Sequence, residues 1–129
     1  MYKRTILQSF GLAFKGLQFV FKNERNMRVH CLVAIMALVV CFLLHVSEIE
    51  LIFVVFAIAL VMITEAANTA FELLLDFVHG DEFHPNVKLL KDIAAGGVFI
   101  AALNAFLIGV VVFVPKALDL IRVTDYMAS

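Results

Sequence analysis

The sequence has 129 residues, of which 64% are hydrophobic and 16% are charged. This apolar share lies far above that of an ordinary soluble domain, so the composition predicts a small integral membrane protein. A formal net charge of −1 argues against the strongly basic surface that nucleic-acid binding requires.

The first predicted element is an amphipathic helix over about residues 4–28. In the stretch TILQSFGLAFKGLQFVFKNERN, apolar residues recur every three or four positions, whereas Lys15 and Gln18 lie off this stripe. Such a helix either rests on the membrane surface or packs on the protein's own core, and the pattern fits both arrangements.

Three apolar runs follow this helix and predict three transmembrane helices, over about residues 29–47, 51–75 and 93–118. A span needs about 20 residues, which each run reaches with its flanks. The expected fold is therefore an all-α membrane protein, with an N-terminal surface helix and three spans in a single domain, residues 1–129.

The basic residues predict the orientation of these spans. Six precede the first span and two lie in the loop before the third, whereas two follow the third span (Lys3, Arg4, Lys15, Lys22, Arg25 and Arg28; Lys88 and Lys91; Lys116 and Arg122). Since Lys and Arg accumulate on the cytoplasmic side, the N-terminus is expected there, in a multi-pass protein.

The second span carries polar residues on one face. Glu65, Asn68, Glu72 and Asp76 fall within about 80° of the helix circumference. Carboxylates inside a membrane are costly and therefore functional candidates, although Asp76 could equally cap the helix or face water. Glu65 lies about 21 Å from the outer end of the span and Glu72 about 32 Å, so this polar face opens toward the cytoplasm.

Two further groups lie on the same predicted side as Glu72. Glu24, in KNERN, and Glu72 together suit a hard cation such as Mg²⁺, and Lys91, followed by Asp92, suits a phosphate. These are the parts of phosphoryl transfer, yet the glycine loops that usually hold nucleotides are absent from the sequence. Spacing alone leaves a phosphotransferase and a proton-coupled carrier as alternatives.

The third span carries Gly97, Ala101, Ala105 and Gly109 at four-residue spacing. Small residues in this pattern let another backbone approach closely. The stripe predicts a packing face, either within one protomer or between protomers.

Four segments, in order, resemble the small prokaryotic diacylglycerol kinase family, which includes the undecaprenol kinases of many bacteria. They are NERNMRVH, EAANTAFELLLD, EFHP and KDIAAGGV, beginning at Asn23, Glu65, Glu82 and Lys91. The resemblance implies a homotrimeric lipid kinase of the bacterial cytoplasmic membrane, which uses Mg²⁺ and ATP and has its active sites between protomers near the cytoplasmic interface.

The resemblance also implies a role for each matching residue. Glu65 would be the general base that takes the proton of the lipid hydroxyl, with Asn68 beside it on the catalytic face. Glu24 and Glu72 would be the Mg²⁺ ligands. The positions expected to contact ATP are Glu82, Phe83, His84, Lys91 and Asp92 as well as the two metal ligands.

The lipid itself is either undecaprenol or diacylglycerol, and the NERNMRVH form is closer to the undecaprenol kinases. Two other classes of protein remain as alternatives. A proton-coupled carrier would use Glu65 and Glu72 as a relay, and a non-catalytic assembly subunit would use the small-residue stripe. Neither alternative requires ATP turnover.

Overall fold

The computed structural model describes residues 5–80 and 83–128, and four helices make up nearly all of this part of the chain. They are α1 (Ile6–Asn23), α2 (Arg25–Leu43), α3 (Glu48–His79) and α4 (Pro85–Ala128). Within the described ranges no strand occurs, and α2, α3 and α4 are long and apolar enough to cross a membrane. The predicted all-α fold with three membrane spans is confirmed.

The N-terminal helix α1 starts at a capping box and ends at a sharp corner. The Thr5 side chain accepts a hydrogen bond from the Gln8 amide at 3.3 Å, and the Gln8 side chain accepts one from the Thr5 amide at 3.0 Å. The helix ends at Asn23 rather than near residue 28, because Glu24 adopts extended backbone (φ −99°, ψ 118°) and α2 begins directly after it.

The apolar stripe of α1 contacts its own chain mainly near the corner. Val20 is buried, whereas Ile6 and Leu7 are 78% and 82% exposed and Phe10 and Phe14 are exposed as well. An apolar face left open along most of a helix favours a membrane-surface position over packing on the protein's own core.

Both ends of α3 are capped by residues suited to the task. The Ser47 hydroxyl accepts a hydrogen bond from the Glu50 amide at 3.3 Å, while the Glu50 carboxylate accepts one from the Ser47 amide at 2.7 Å. At the other end, Gly80 has φ 69° and its amide donates to the Asp76 carbonyl at 2.8 Å. Glycine adopts this backbone conformation readily and therefore suits the C-terminal cap of α3.

The most extensive helix contact in the chain is between α3 and α4, and α2 packs mainly on α3. Ala101 is 1% exposed, so the small-residue stripe of α4 serves as a packing face within the protomer at that level. A small core of Cys41, Val54 and Val112 lies at the end of the bundle away from Glu65. Lys116 of α4 pairs with Glu50 of α3 at 3.1 Å, which ties the two helices near the start of α3.

Candidate active site

The polar face of α3 passes from buried to exposed along the helix. Glu65 is only 2% exposed, Asn68 and Glu72 are partly buried, and Asp76 is exposed. The four polar residues on this face therefore differ in how deeply they are buried. A reactive group at Glu65 is shielded from water, while groups near Asp76 meet solvent.

Asn68 lies about one helical turn from both Glu65 and Glu72 on α3. Its side-chain Nδ2 donates to Oε1 of Glu72 at 3.1 Å, which fixes the direction of the amide. Its Oδ1 is buried and has no hydrogen-bond partner among the described residues. Because an unpaired buried acceptor is costly, this oxygen suits a ligand that brings a hydroxyl donor or a cation.

Glu65 and Asn68 line a cavity of about 430 Å³ that three helices enclose. The polar part of its wall comes from α2 and α3, which contribute Arg25, Asn26, His30, Glu65 and Asn68. The apolar part includes Ala95, Phe99 and Ala102 of α4. The cavity thus joins an apolar surface to a buried carboxylate.

A second cavity of about 450 Å³ lies next to the first, toward the middle of the bundle. The two share His30 and Ala102 in their walls. The remaining lining of the second cavity is apolar, with Ala37, Val61 and Ala105 among its residues. A molecule with a hydroxyl head and an apolar tail matches this change from polar to apolar wall.

Glu24 stands at the corner between α1 and α2, the one position there that is not helical. The Arg28 guanidinium holds this corner, because Nη1 donates to the carbonyls of Lys22 at 2.8 Å and Phe21 at 3.2 Å. These are carbonyls of the last turn of α1, which lack partners within their own helix. The arginine closes the corner that carries Glu24.

Glu24 and Glu72 are close enough to Glu65 for their charges to influence it. The negative charges of Glu24 and Glu72 both act on the Glu65 carboxylate, so the fold brings together residues from the corner and from α3. Within residues 5–80 and 83–128, no three His, Cys, Asp or Glu side chains meet closely enough to hold a metal ion by themselves. A hard cation here would take Glu24 and Glu72 plus oxygens of its substrate, a donor set that Mg²⁺ commonly uses.

The residues expected to contact ATP lie around the loop from α3 to α4. Lys91 Nζ binds Oδ1 of Asp76 at 2.5 Å, and Lys88 Nζ binds Oδ2 of Asp92 at 2.6 Å. The fold therefore connects the start of α4 to the exposed end of the polar face. The sequence left open whether Asp76 caps the helix or faces water. In the structure its main-chain carbonyl accepts a hydrogen bond from Gly80, and its carboxylate binds Lys91.

The loop residues are more open. Phe83 is 79% exposed, and His84 accepts a hydrogen bond at Nδ1 from the Asn86 amide at 3.2 Å and meets the His79 ring edge-on. Glu82, the fifth residue expected to contact ATP, lies outside the described residues.

His30 is a site residue that the sequence did not identify as one. Its Nε2 lies 3.7 Å from Oε2 of Glu65, although the two belong to different helices. The motif NERNMRVH contains it, but α2 shows no polar stripe that would have marked this histidine as facing α3. Arg25 and Asn26, which also line the Glu65 cavity, were equally unmarked by periodicity.

Comparison with known proteins bears on this arrangement. The sequence pattern of the family described as prokaryotic diacylglycerol kinase matches residues 11–113. The chain is 34% identical over 116 residues to a diacylglycerol kinase of Synechocystis, which is 90% of this chain and 66% of the relative. It is 35% identical over 109 residues to the undecaprenol kinase of Bacillus subtilis, covering 84% of this chain and 88% of the relative. A diacylglycerol kinase of Escherichia coli is 31% identical over 100 residues, with 78% and 81% covered.

Proposed function

Because the chain belongs to the prokaryotic diacylglycerol kinase family, we propose that it is a lipid kinase that transfers the γ-phosphoryl group of ATP to the hydroxyl of a membrane lipid alcohol. The observation that carries this proposal is the buried Glu65 carboxylate, which lines a cavity adjacent to an apolar one. A lipid hydroxyl attached to apolar tails is the nucleophile that such a carboxylate would meet.

Glu65 is the general base in this proposal. A base must come within about 3 Å of the proton it takes, and of the carboxylates on the polar face only Glu65 is fully buried. As the proton passes to Glu65, the lipid oxygen bonds to the γ-phosphorus and the bond from that phosphorus to the bridging oxygen of ADP breaks. Asn68 lines the same cavity, and its Nδ2 holds the Glu72 carboxylate by a hydrogen bond.

Glu24 and Glu72 hold the Mg²⁺ that accompanies ATP. The cation would offset the negative charge that builds on the phosphates during transfer. Two observations support this role. The charges of Glu24 and Glu72 both influence the Glu65 carboxylate, and the Asn68 amide orients the Glu72 carboxylate by a hydrogen bond. Arg28 contributes by fixing the backbone at the corner that carries Glu24.

ATP approaches over the start of α4 and the loop before it, where it contacts Lys91, Asp92, Phe83, His84 and Glu82. Lys91 offers a point charge to a phosphate, and its present partner is the exposed Asp76. An exposed ion pair contributes roughly 0–1 kcal/mol, so a phosphate can take the place of the Asp76 carboxylate at little cost.

Undecaprenol is the preferred lipid in this proposal, and diacylglycerol is the alternative. The support is the form of the NERNMRVH segment, which is closer to undecaprenol kinases. The identities to an undecaprenol kinase and to a diacylglycerol kinase are nearly equal, 35% and 34%, so a direct comparison of the two alcohols is the proper test.

The proposal includes a cellular setting and an assembly. The protein is a homotrimer in the bacterial cytoplasmic membrane, with its N-terminus in the cytoplasm. The excess of basic residues before α2 and at the start of α4 supports this orientation, since it places the ATP-contacting residues on the side where ATP is found.

The test is ATP-dependent phosphorylation by detergent-purified protein in mixed micelles, with undecaprenol and diacylglycerol offered separately. We expect turnover with Mg²⁺, faster with undecaprenol, and a loss on the order of 10²- to 10⁴-fold in Glu65→Gln with the oligomer intact. Glu48→Gln is the matched control, because it makes the same change at the exposed start of the same helix. Phosphorylation of neither lipid would refute the kinase, leaving a carrier or an assembly subunit, and an active Glu65→Gln would refute the base.

A further inference from the structure

The buried Glu65 carboxylate has a close basic neighbour on another helix. His30 Nε2 of α2 lies 3.7 Å from Glu65 Oε2, and within residues 5–80 and 83–128 no other basic side chain comes within 4.0 Å of this carboxylate. The distance exceeds that of a hydrogen bond, so the two side chains are close neighbours without one in this structure.

The surroundings explain why such a neighbour is needed. The other charges that act on Glu65 are those of Glu24 and Glu72, both negative. The hydroxyl of Thr69 donates to the main-chain carbonyl of Glu65 at 3.1 Å and so does not bind its carboxylate. A buried carboxylate under the influence of two other negative charges is repelled by both, and a hydrogen-bond donor would help to hold it in position.

His30 also occupies a particular place along the path of the lipid. It lines both the cavity that contains Glu65 and the apolar cavity next to it, and its side chain is 21% exposed. A lipid alcohol lying across the two cavities would therefore bring its hydroxyl past His30 to Glu65. Contact on the Oε2 side leaves Oε1 as the oxygen available to that hydroxyl.

We propose that His30 is a positioning residue that donates a hydrogen bond from Nε2 to Oε2 of Glu65 and so directs Oε1 toward the lipid hydroxyl. This inference depends on the proposed role of Glu65 as the base. The lipid proton passes to Oε1 of Glu65, and His30 neither gains nor loses a proton in that step. Hydrogen bonds that position a catalytic group are often long in a structure without substrate and shorten in the reactive complex.

The test compares His30→Ala, His30→Gln and His30→Asn in the mixed-micelle assay. The amide nitrogen of Gln reaches about as far as Nε2 of histidine, whereas that of Asn reaches only as far as Nδ1. We expect His30→Ala and His30→Asn to lose on the order of 100-fold in kcat with KM for lipid and ATP within about twofold of the parent, because a misplaced base slows the chemical step. His30→Gln is expected to stay within about tenfold of the parent.

Added imidazole provides a second readout. We expect it to restore part of the activity of His30→Ala, because the truncation leaves space beside an existing cavity. Leu32→Ala, a truncation at an exposed position of α2 that lines neither cavity, is the control and should keep parental kcat. Oligomer size and the thermal unfolding midpoint are measured for every variant.

Two results would overturn the proposal. Parental kcat in His30→Ala, or equal losses in His30→Gln and His30→Asn without rescue by imidazole, would reduce His30 to a packing residue. Should His30→Ala fail to fold, the order of the Gln and Asn variants decides by itself. Glu65→Gln separates the two hypotheses: if it is active, the base assignment fails, whereas an inactive Glu65→Gln beside a fully active His30→Ala removes only the role of His30.

Discussion

The two ends of the Asn68 side-chain amide have different surroundings in the site. One end of its amide holds Glu72, and the other end is a buried oxygen without a partner in the described part of the chain. If Glu72 binds Mg²⁺, the same amide then orients a metal ligand while its oxygen faces the reacting group. Such outer contacts commonly fix the geometry of a metal ligand.

The metal assignment predicts a particular change in Mg²⁺ dependence. Removing the charge in Glu24→Gln or Glu72→Gln leaves the side-chain volume nearly unchanged but deletes an anionic ligand, so we expect half-maximal activity to need on the order of tenfold more Mg²⁺, about 1.4 kcal/mol in binding. Initial rates measured over a Mg²⁺ series at fixed ATP provide the test. Glu48→Gln, at the far end of α3, should follow the parent curve, and an unchanged curve for both site variants would refute the assignment.

The residues of α3 were predictable and those of α2 were not, for a physical reason. Glu65, Asn68 and Glu72 lie on one helix, where a period of 3.6 residues tells which side chains share a face. His30 meets Glu65 only because α2 packs on α3, and no local pattern encodes that contact. Sequence periodicity thus placed Glu65 and Asn68 on one face, whereas the contact of His30 with Glu65 could be read only from the fold.

Among the helices and their connections, the corner between α1 and α2 was not predicted from the sequence. The stretch KNERN contains neither Gly nor Pro, so a helix running to about residue 28 was the natural expectation. The structure ends α1 at Asn23, where the backbone of Glu24 is extended and Arg28 donates to the carbonyls of the last turn. Since Glu24 is the residue at the corner, the break in the helix sets the position of a proposed metal ligand.

The small-residue stripe of α4 yields a prediction about two of its members, one turn apart. Ala101 is 1% exposed, so Ala101→Leu should overpack the helix interface and destabilise the protein by about 1–3 kcal/mol. A Cβ added at Gly97 would meet nothing within 4 Å, so Gly97→Ala should stabilise the helix by about 0.5–1 kcal/mol in an isolated chain. Thermal unfolding in detergent measures both effects.

The sign of the Gly97→Ala effect carries further information. If a second copy of the chain packs closely on Gly97, the added methyl group will lower the stability of the oligomer, and the shift will depend on protein concentration. A stabilising shift that does not change with concentration would assign this part of the stripe to the lipid-facing or open surface of α4.

At the scale of the whole molecule, a single chain covers little of its own apolar surface. In the three spans, only 17%, 22% and 11% of the most apolar stretch is buried. The remainder must face lipid or other copies of the chain, which agrees with a bilayer protein and with the proposed trimer. Most apolar side chains are therefore covered by lipid or by other copies rather than by the chain's own core. A sequence with 64% hydrophobic residues is the expected consequence.

The orientation in the membrane yields the last prediction, because ATP is available on one side only. If Lys91 and Asp92 contact ATP, the loop before α4 must be cytoplasmic and the turn between α2 and α3 must lie outside. We expect a membrane-impermeant maleimide to label Glu48→Cys but not Asn86→Cys in right-side-out vesicles, and the reverse in inverted vesicles, since both positions are exposed. The parent is the control for Cys41, which is buried, and for Cys31, which is partly buried. Labelling of Asn86→Cys from outside would place the nucleotide-contacting loop away from ATP and would contradict the orientation and, with it, the proposed kinase site.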